Sequence, residues 1–461
     1  KKHCSPLPED SMPNRLSTPL QHISEMPSLW LHPVHTLEGA SPSPLEPHRS
    51  RDVSLAGHTL LDMARERIQN YRAALNGSVE PRPSKVSLGG SGFIIHELDE
   101  GECCQRHIPL RFSEVAHFQD VSTLLVVGLR GSADQRAVDC ACLPLEAVWI
   151  LGVGSKEPSV YPDAALFSLL TTMGALGAVR SDFTTFYNME KNPIRAGAFS
   201  KVYLSQPRLP ADTDSMPKND EIRKPSKLAV KLFAHNPRKD SASAAMAEAA
   251  MLMGSTQHPN ISCFQGLFRV PELAVQECEC WAMMIEYSSA GDLFHDVSSK
   301  GLCGEWRAAE ILAGLLSALS HLHARNIVHR DVKSETILLK DPGRPMLFDF
   351  ESAARLDDAE ALRKRRGSPG YCAPEILNSQ DYGAKVDVFS AGVVLYFLLT
   401  GQLPFSGPTV ASTLRRNIRC DVNLELKRLR DVSLLMKTLI MLLLYKEPMV
   451  RPEASTALQQ V

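Results

Sequence analysis

The sequence has no apolar run long enough to cross a bilayer and no CxxC pair. Its longest apolar stretches, near Leu124 and from Leu434, fall short of the roughly 20 residues that a transmembrane helix needs, and Lys437 interrupts the second. The 11 cysteines are scattered, which is more typical of reduced intracellular thiols than of a zinc site. We therefore expect no membrane span and a cytoplasmic location.

The sequence also has little charge bias. The formal net charge is -2, which gives no reason to expect nucleic acid as a partner. A length of 461 residues with 44% hydrophobic and 22% charged residues predicts a globular protein of two to four domains. The chain begins Lys-Lys and ends within a helical pattern, so we expect it to be a fragment.

The first part of the chain carries no motif of known chemistry. Residues 1–55 are rich in proline and serine and have few periodic apolar positions, which predicts a disordered segment. Residues 56–75 have apolar positions at helical spacing, and strand-like runs such as "SGFIIHEL" follow. We expect residues 56–185 to form a small mixed α/β region of unknown type.

From residue 187 the pattern changes to strands followed by helices. The runs "FSKVYLS" and "KLAVKLF" are typical of strands, and helical periodicity dominates from residue 290. This order predicts an α+β fold in which a small β-rich lobe precedes a larger helical lobe, with a ligand cleft between them. One helical face should consist of Leu312, Leu315, Leu316, Leu319 and Leu322.

Charged residues that suit phosphoryl transfer follow one another along this second part. In "HRDVKSETIL", Asp331 is a candidate base near an accepting hydroxyl, and Lys333 can bind the transferred group. Asp349 follows in "LFDFE" as a candidate Mg²⁺ ligand, and "GSPGYCAPE" comes after it. Earlier, Lys231 lies in an apolar strand where it needs a partner, such as Glu248. Strand alternation also permits Lys231 to point outward.

A possible phosphate-covering turn lies in "IRAGAFSKVYL". Only Gly197 remains of a three-glycine pattern, because Arg195 and Ser200 occupy the outer positions. Glycine matters there because its backbone can approach phosphate closely. The stretch predicts a loose phosphate cover, although a plain hairpin explains it equally well.

Taken together, these motifs resemble the eukaryotic protein kinase domain of the Ser/Thr branch, over residues 187–461. The resemblance implies a small lobe at 187–285, a hinge at 286–292 and a large lobe at 293–461. It implies that ATP is bound by Ile194, Gly197, Val202, Ala229, Lys231, Glu286, Ser288, Asp292 and Leu338. It also implies catalytic roles for Asp331, Lys333, Lys231 and Glu248, and a Mg²⁺ site at Asp349 and Thr336. Asp387 and a pair formed by Glu375 and Arg451 would anchor the large lobe.

Three departures from the family pattern put activity in question. Thr336 replaces an asparagine that binds metal, two glycines of the phosphate cover are missing, and Glu351 replaces a glycine. We expect Glu351 on the far side of Phe350 from Asp349. The leading hypothesis is an ATP-dependent Ser/Thr protein kinase of low activity that acts on a protein substrate. The alternative is a pseudokinase that serves as a nucleotide-binding scaffold or allosteric regulator of a signalling partner.

Regulation is open to two interpretations. Arg330 precedes Asp331, a pattern that implies control by a phosphate on the activation segment. The only hydroxyl residue between Phe350 and Gly367 is Ser352. Acidic residues in that segment could pair with Arg330 instead, or the basic run "RKRR" at 363–366 could be a solvated surface; we favour the solvated surface.

Overall fold

A computed structural model describes most of the second half of the chain and scattered strands before it. The described residues are 30–31, 84–88, 92–99, 102–109, 114–118, 124–130, 145–152, 170–197, 200–208, 227–233, 241–255, 258–270, 280–341 and 344–461. The predicted helix at 56–75 lies outside them, and so does all but two residues of the segment 1–55.

The strands before residue 170 pair with one another in antiparallel fashion. Their order across the sheet is β4-β3-β2-β1-β7-β6-β5. They are β1 (Trp30–Leu31), β2 (Ser84–Leu88), β3 (Gly92–Asp99), β4 (Glu102–Pro109), β5 (Glu114–Phe118), β6 (Leu124–Arg130) and β7 (Leu145–Gly152). Three of these strands, β3, β6 and β7, coincide with the strand-like runs of the sequence.

The small lobe is a mainly antiparallel sheet with a long helix packed against one face. Its elements are β8 (Val179–Arg180), α1 (Phe183–Phe186), β9 (Tyr187–Ala196), β10 (Ser200–Pro207), β11 (Leu228–Phe233), α2 (Ser241–Met253), β12 (Phe264–Arg269) and β13 (Trp281–Glu286). The strand order is β8-β12-β13-β11-β10-β9, and β8 pairs in parallel with both β12 and β5. The strands β9 to β13 form the sheet of this lobe, and β8 continues it.

Side-chain alternation gives this sheet two different faces. Val230 and Met284 pack with Phe183 and Tyr187 on one face. Met283 and the other residues of the opposite face pack against α2, whose buried alanines allow a close approach. Lys231 in β11 alternates with Val230, so it belongs to the face that α2 covers.

The large lobe is built around two long helices. Its helices are α3 (Leu293–Lys300), α4 (Glu305–His323), α5 (Ala359–Arg363), α6 (Pro374–Leu377), α7 (Lys385–Thr400), α8 (Val410–Arg419), α9 (Leu434–Leu443) and α10 (Ala454–Leu458). Its short strands are β14 (Ile327–Val328), β15 (Ile337–Asp341), β16 (Arg344–Leu347) and β17 (Ala354–Arg355). The predicted leucine face of α4 is buried along its whole length, and α7 is buried on all sides.

The helices of the large lobe begin and end at recognisable signals. Asp292 caps α3 by accepting a hydrogen bond from the backbone N–H of His295, and Thr409 caps α8 through Ser412. Gly401 ends α7 in the left-handed region, at φ 67°. The predicted α+β fold with a β-rich small lobe and a helical large lobe is confirmed. No helix in the described part of the chain has the length and apolarity needed to cross a bilayer.

Candidate active site

Lys231 is the point where the two lobes meet. Its Nζ lies 2.8 Å from both carboxylate oxygens of Glu248 on α2. The same Nζ lies 2.8 Å from Oδ1 of Asp349, which belongs to the large lobe. Lys231 therefore faces the cleft and not solvent, and it joins three elements that are far apart in sequence.

The charges of this group support one another. Burial opposes the charge on Lys231, but the carboxylates of Glu248 and Asp349 outweigh it and hold the pKa of the lysine above its ordinary value. Burial raises the pKa of Asp349, but the ammonium group of Lys231 outweighs it, so that pKa is lowered. Burial raises the pKa of Glu248 to about 7 against the opposing effect of Lys231. Lys231 and Asp349 are thus charged at neutral pH.

The chain around Asp349 makes a sharp turn. Asp349 is in the left-handed region, at φ 66°, and the 3₁₀ turn Phe350–Ser352 follows it. This turn places Glu351 in the wall of the cleft, with Oε2 at 3.9 Å from Nζ of Lys231. The expectation that Glu351 lies on the far side of Phe350 was wrong, because the turn brings the chain back toward the cleft.

In the stretch 329–338, the catalytic loop, Asp331 and Lys333 contact each other and Ser368. Lys333 Nζ lies 2.7 Å from Asp331 Oδ2, and Ser368 Oγ donates a hydrogen bond of 2.7 Å to Asp331 Oδ1. Lys333 also donates to Ser368 at 2.8 Å. Asp331 is therefore fixed from two directions, by its own loop and by the segment "GSPGY".

A buried carboxylate beneath the loop sets its backbone. Asp387 is fully buried and accepts hydrogen bonds from the backbone N–H groups of His329 and Arg330, at 2.9 and 2.8 Å. It also contacts Nε2 of His323 at 3.0 Å. These contacts hold Arg330 in the left-handed region, at φ 65°, directly before Asp331.

Thr336 lies beneath the same loop. Its side chain is fully buried. Its Oγ1 accepts a hydrogen bond from the backbone N–H of Lys333 at 3.1 Å and lies 3.0 Å from the carbonyl oxygen of Asp331. The hydroxyl therefore closes the turn of the loop, and this use competes with metal binding.

Between the lobes is a cavity of about 400 Å³. All nine residues expected at ATP line it, together with Glu248 and Asp349; the nine are Ile194, Gly197, Val202, Ala229, Lys231, Glu286, Ser288, Asp292 and Leu338. Asp331, Lys333 and Thr336 lie outside this lining. The sequence reasoning missed other lining residues, among them Leu252, Met283, Phe348 and Arg195 as a side chain that faces the cleft.

Among the described residues, Arg330 has no acidic partner in the activation segment, the stretch from Phe350 to Glu375. Its guanidinium donates to the carbonyl oxygens of Ser352 at 2.6 Å and of Ala361 at 2.5 Å, and to the Tyr382 hydroxyl at 3.2 Å. The nearby acids have other roles, since Asp357 pairs with Arg355 and Asp358 caps α5. The side chains of the run 363–366 are exposed, as the solvated-surface interpretation expects.

A buried ion pair fastens the end of the activation segment to the large lobe. Both carboxylate oxygens of Glu375 accept hydrogen bonds of 2.6 Å from Arg451, and both side chains are almost wholly buried. Arg451 also donates to backbone carbonyls, including that of Tyr445. The fold and this site define a two-lobed protein with a charged cleft between the lobes.

Comparison with known proteins gives the family. A family model described as the protein kinase domain matches residues 218–461, which is more than half of the chain. The chain therefore belongs to the protein kinase domain family, and its relatives place it in the Ser/Thr branch. The family model begins at residue 218, whereas β9 of the small-lobe sheet begins at Tyr187. We propose that the domain begins at residue 187.

Several curated relatives are Ser/Thr kinases by name. "Probable serine/threonine-protein kinase 2" of Plasmodium falciparum is 37% identical over 180 residues, which cover 38% of this chain and 34% of that protein. "Serine/threonine-protein kinase PEPKR2" of Arabidopsis thaliana is 37% identical over 175 residues, covering 36% and 37%. The human "Phosphorylase b kinase gamma catalytic chain, liver/testis isoform" is 38% identical over 183 residues, covering 38% and 45%. The chain thus spans less than half the length of each of these relatives.

Proposed function

We propose that this chain transfers the γ-phosphate of ATP to a serine or threonine hydroxyl of a protein substrate. The observation that carries the proposal is the contact of Lys231 with both Glu248 and Asp349 at 2.8 Å. This contact joins the phosphate-binding lysine to a large-lobe carboxylate across a cleft of nucleotide size. It is the closed arrangement that positioning of a phosphoryl group requires.

Each half of the cleft has a separate task in this proposal. At the hinge, the backbones of Glu286 and Ser288, both of which line the cleft, offer hydrogen bonds to adenine. Apolar surface from Val202, Ala229 and Leu338 encloses the base. Toward the other end, Lys231 neutralises the α- and β-phosphates.

Asp331 is the residue that orients the substrate hydroxyl and accepts its proton. The carboxylate contacts Lys333 and Ser368, so its direction is fixed while part of it stays accessible, with a side-chain exposure of 18%. Lys333 lies beside the position of the transferred group and stabilises the negative charge on it.

The donor atoms of the cleft suit a Mg²⁺ ion. Asp349 is ionised and lines the cavity, and carboxylate oxygen is the ligand type that Mg²⁺ prefers. When bound, Mg²⁺ supplies positive charge to the phosphates. Thr336 is the proposed second ligand, although its hydroxyl is already hydrogen-bonded within the loop.

A second candidate function is a pseudokinase that binds nucleotide without turnover. The commitment of the Thr336 hydroxyl to the loop turn favours it, since a second metal position is then weak. The backbone N–H of Gly197 is also engaged, because it donates to the carbonyl of Ser200 at 2.8 Å. Such a protein would act on its signalling partner through conformation alone.

Transfer of labelled γ-phosphate from ATP to a mixed Ser/Thr peptide library separates the two functions. The purified chain is compared with its Asp331→Asn variant at several Mg²⁺ concentrations. We expect transfer by the parent that the variant lacks. Equal, background-level signals from both proteins, at every Mg²⁺ concentration, would support the pseudokinase function.

A further inference from the structure

Arg195 extends across the cleft from the small lobe to the large lobe. It lies near the end of β9, where the phosphate cover of the family has a glycine. Its Nη1 donates a hydrogen bond of 2.8 Å to the carbonyl oxygen of Glu335 and lies 3.9 Å from Oδ2 of Asp292. Its guanidinium carbon lies 5.4 Å from the centre of the Phe348 ring. The side chain is thus held at a defined place in the cleft.

That place adjoins both positions at which the family binds metal. Glu335 directly precedes Thr336, and Phe348 directly precedes Asp349. A guanidinium with these contacts lies between Asp292, at the end of the hinge, and the two residues that precede Thr336 and Asp349. The chain therefore has a permanent cation beside the residues that precede Thr336 and Asp349, the two proposed Mg²⁺ ligands.

The contacts of Arg195 leave its phosphate-binding capacity largely intact. Both of its oxygen contacts use Nη1, so Nε and Nη2 keep their donors among the described residues. The aromatic ring of Phe348 orients the guanidinium without neutralising it. The side chain is 39% exposed, so an entering ligand can reach it. Arginine donors match phosphate oxygens in a bidentate geometry that backbone glycine does not offer.

We infer that Arg195 is a phosphate-binding residue of the nucleotide site. Its guanidinium binds the nucleotide's phosphates where the family uses the backbone of a glycine. Its positive charge also replaces part of the charge that a second metal ion would supply. This inference rests on the proposed function, since it assigns a ligand to the same cleft. The rival role is a clasp in which the contacts with Glu335 and Asp292 only hold the lobes together.

Isothermal titration with adenosine, ADP and ATP, each in excess Mg²⁺ and in EDTA, separates the two roles. The proteins are the parent, Arg195→Gln, Arg195→Lys and a matched control, Lys191→Gln. Lys191 is an exposed cation on the same strand that does not line the cleft. Thermal unfolding of each variant confirms that it is folded.

We expect Arg195→Gln to weaken ATP and ADP binding in EDTA at least tenfold, which is about 1.4 kcal/mol. Adenosine should bind all variants equally, Lys191→Gln should match the parent, and Arg195→Lys should recover part of the loss. Unchanged ATP affinity in Arg195→Gln, or a change shared equally with adenosine, would overturn the inference. Tighter ATP binding in that variant would establish the clasp. If the parent binds none of the three ligands, the proposed function fails as well.

Discussion

The catalytic loop and the phosphate cover differ in how far they keep the pattern of their family. In the catalytic loop, Asp331 and Lys333 stand at the expected positions, and buried Asp387 holds their backbone. In the phosphate cover, Arg195 and Ser200 have replaced glycine, and a side chain now occupies space in the cleft. Few side chains can replace a buried carboxylate such as Asp387, which accepts two backbone hydrogen bonds. Phosphate, by contrast, can be bound either by backbone N–H groups or by a guanidinium. The two regions therefore tolerate change to different degrees.

The largest expected effect is at the catalytic loop. Asp331→Asn keeps the shape of the side chain and removes its charge and its proposed function as a base. We expect kcat to fall by about 10²- to 10⁴-fold, which is the usual contribution of a general base. Single-turnover phosphate transfer measures it. A variant with normal turnover would show that this loop is as tolerant as the phosphate cover.

The second prediction concerns the anchor of the large lobe. Arg451→Met leaves the Glu375 carboxylate buried without its partner, which costs about 3–5 kcal/mol of unfolding free energy. Urea unfolding measures it, with the exposed Arg415→Met as the control that should change little. The double variant Arg451→Met, Glu375→Leu should recover much of the loss, because no lone charge remains. A double variant as unstable as the single one would contradict this explanation.

The third prediction concerns Thr336, the residue of the catalytic loop that departs from the family pattern. Thr336→Asn restores an amide oxygen at the metal position, so kcat should rise and the Mg²⁺ concentration for half-maximal rate should fall. A tenfold gain in kcat corresponds to about 1.4 kcal/mol of activation free energy. Titration of Mg²⁺ at saturating ATP measures both quantities. An unchanged Mg²⁺ dependence would mean that threonine at this position has no cost.

The smallest expected effect is a pH dependence of stability on α4. Burial, with help from nearby Arg325 and His258, lowers the pKa of His321 to about 4. The unfolded chain has a pKa near 6.5 there, so it binds more protons than the folded state between pH 6.5 and 4. The free energy of unfolding should therefore fall as the pH falls through this window. His321→Gln should make that fall shallower, as urea unfolding at pH 7, 6, 5 and 4 would show; parallel curves for both proteins would refute the assignment.

Periodicity and motif order predicted much of the fold. The leucine face of α4 is buried as expected, because five apolar residues at helical spacing leave one way to pack. The partner of Lys231 was also foreseeable, since an ammonium in an apolar strand needs a carboxylate and Glu248 lies on the following helix. Both inferences depend on local pattern alone.

Contacts between distant segments could not be predicted in the same way. The direction of Glu351 depends on a left-handed residue at Asp349, for which its sequence gives no signal. The acceptors of Arg330 are mostly backbone carbonyls, which every residue has, so the sequence offered only acids or phosphate as partners. From the sequence, Arg195 was only a position where the glycine of the family is missing. Its contacts with Glu335 and Phe348 join residues that are distant in the sequence, so the sequence did not predict them.

The two-residue strand β8 has a consequence for how this protein meets other chains. Val179 pairs in parallel with both Leu267 of β12 and Glu114 of β5, so both of its hydrogen-bonding sides are taken. An open strand edge is a template on which another polypeptide can add itself, and sheets without cover there are prone to aggregate. Because β8 is paired on both sides, the β12 side of the small lobe has no open strand edge within the described sheet. The outermost strands of that sheet are β4 and β9. Within the described sheet, the strands at which a binding peptide could extend it are β4 and β9.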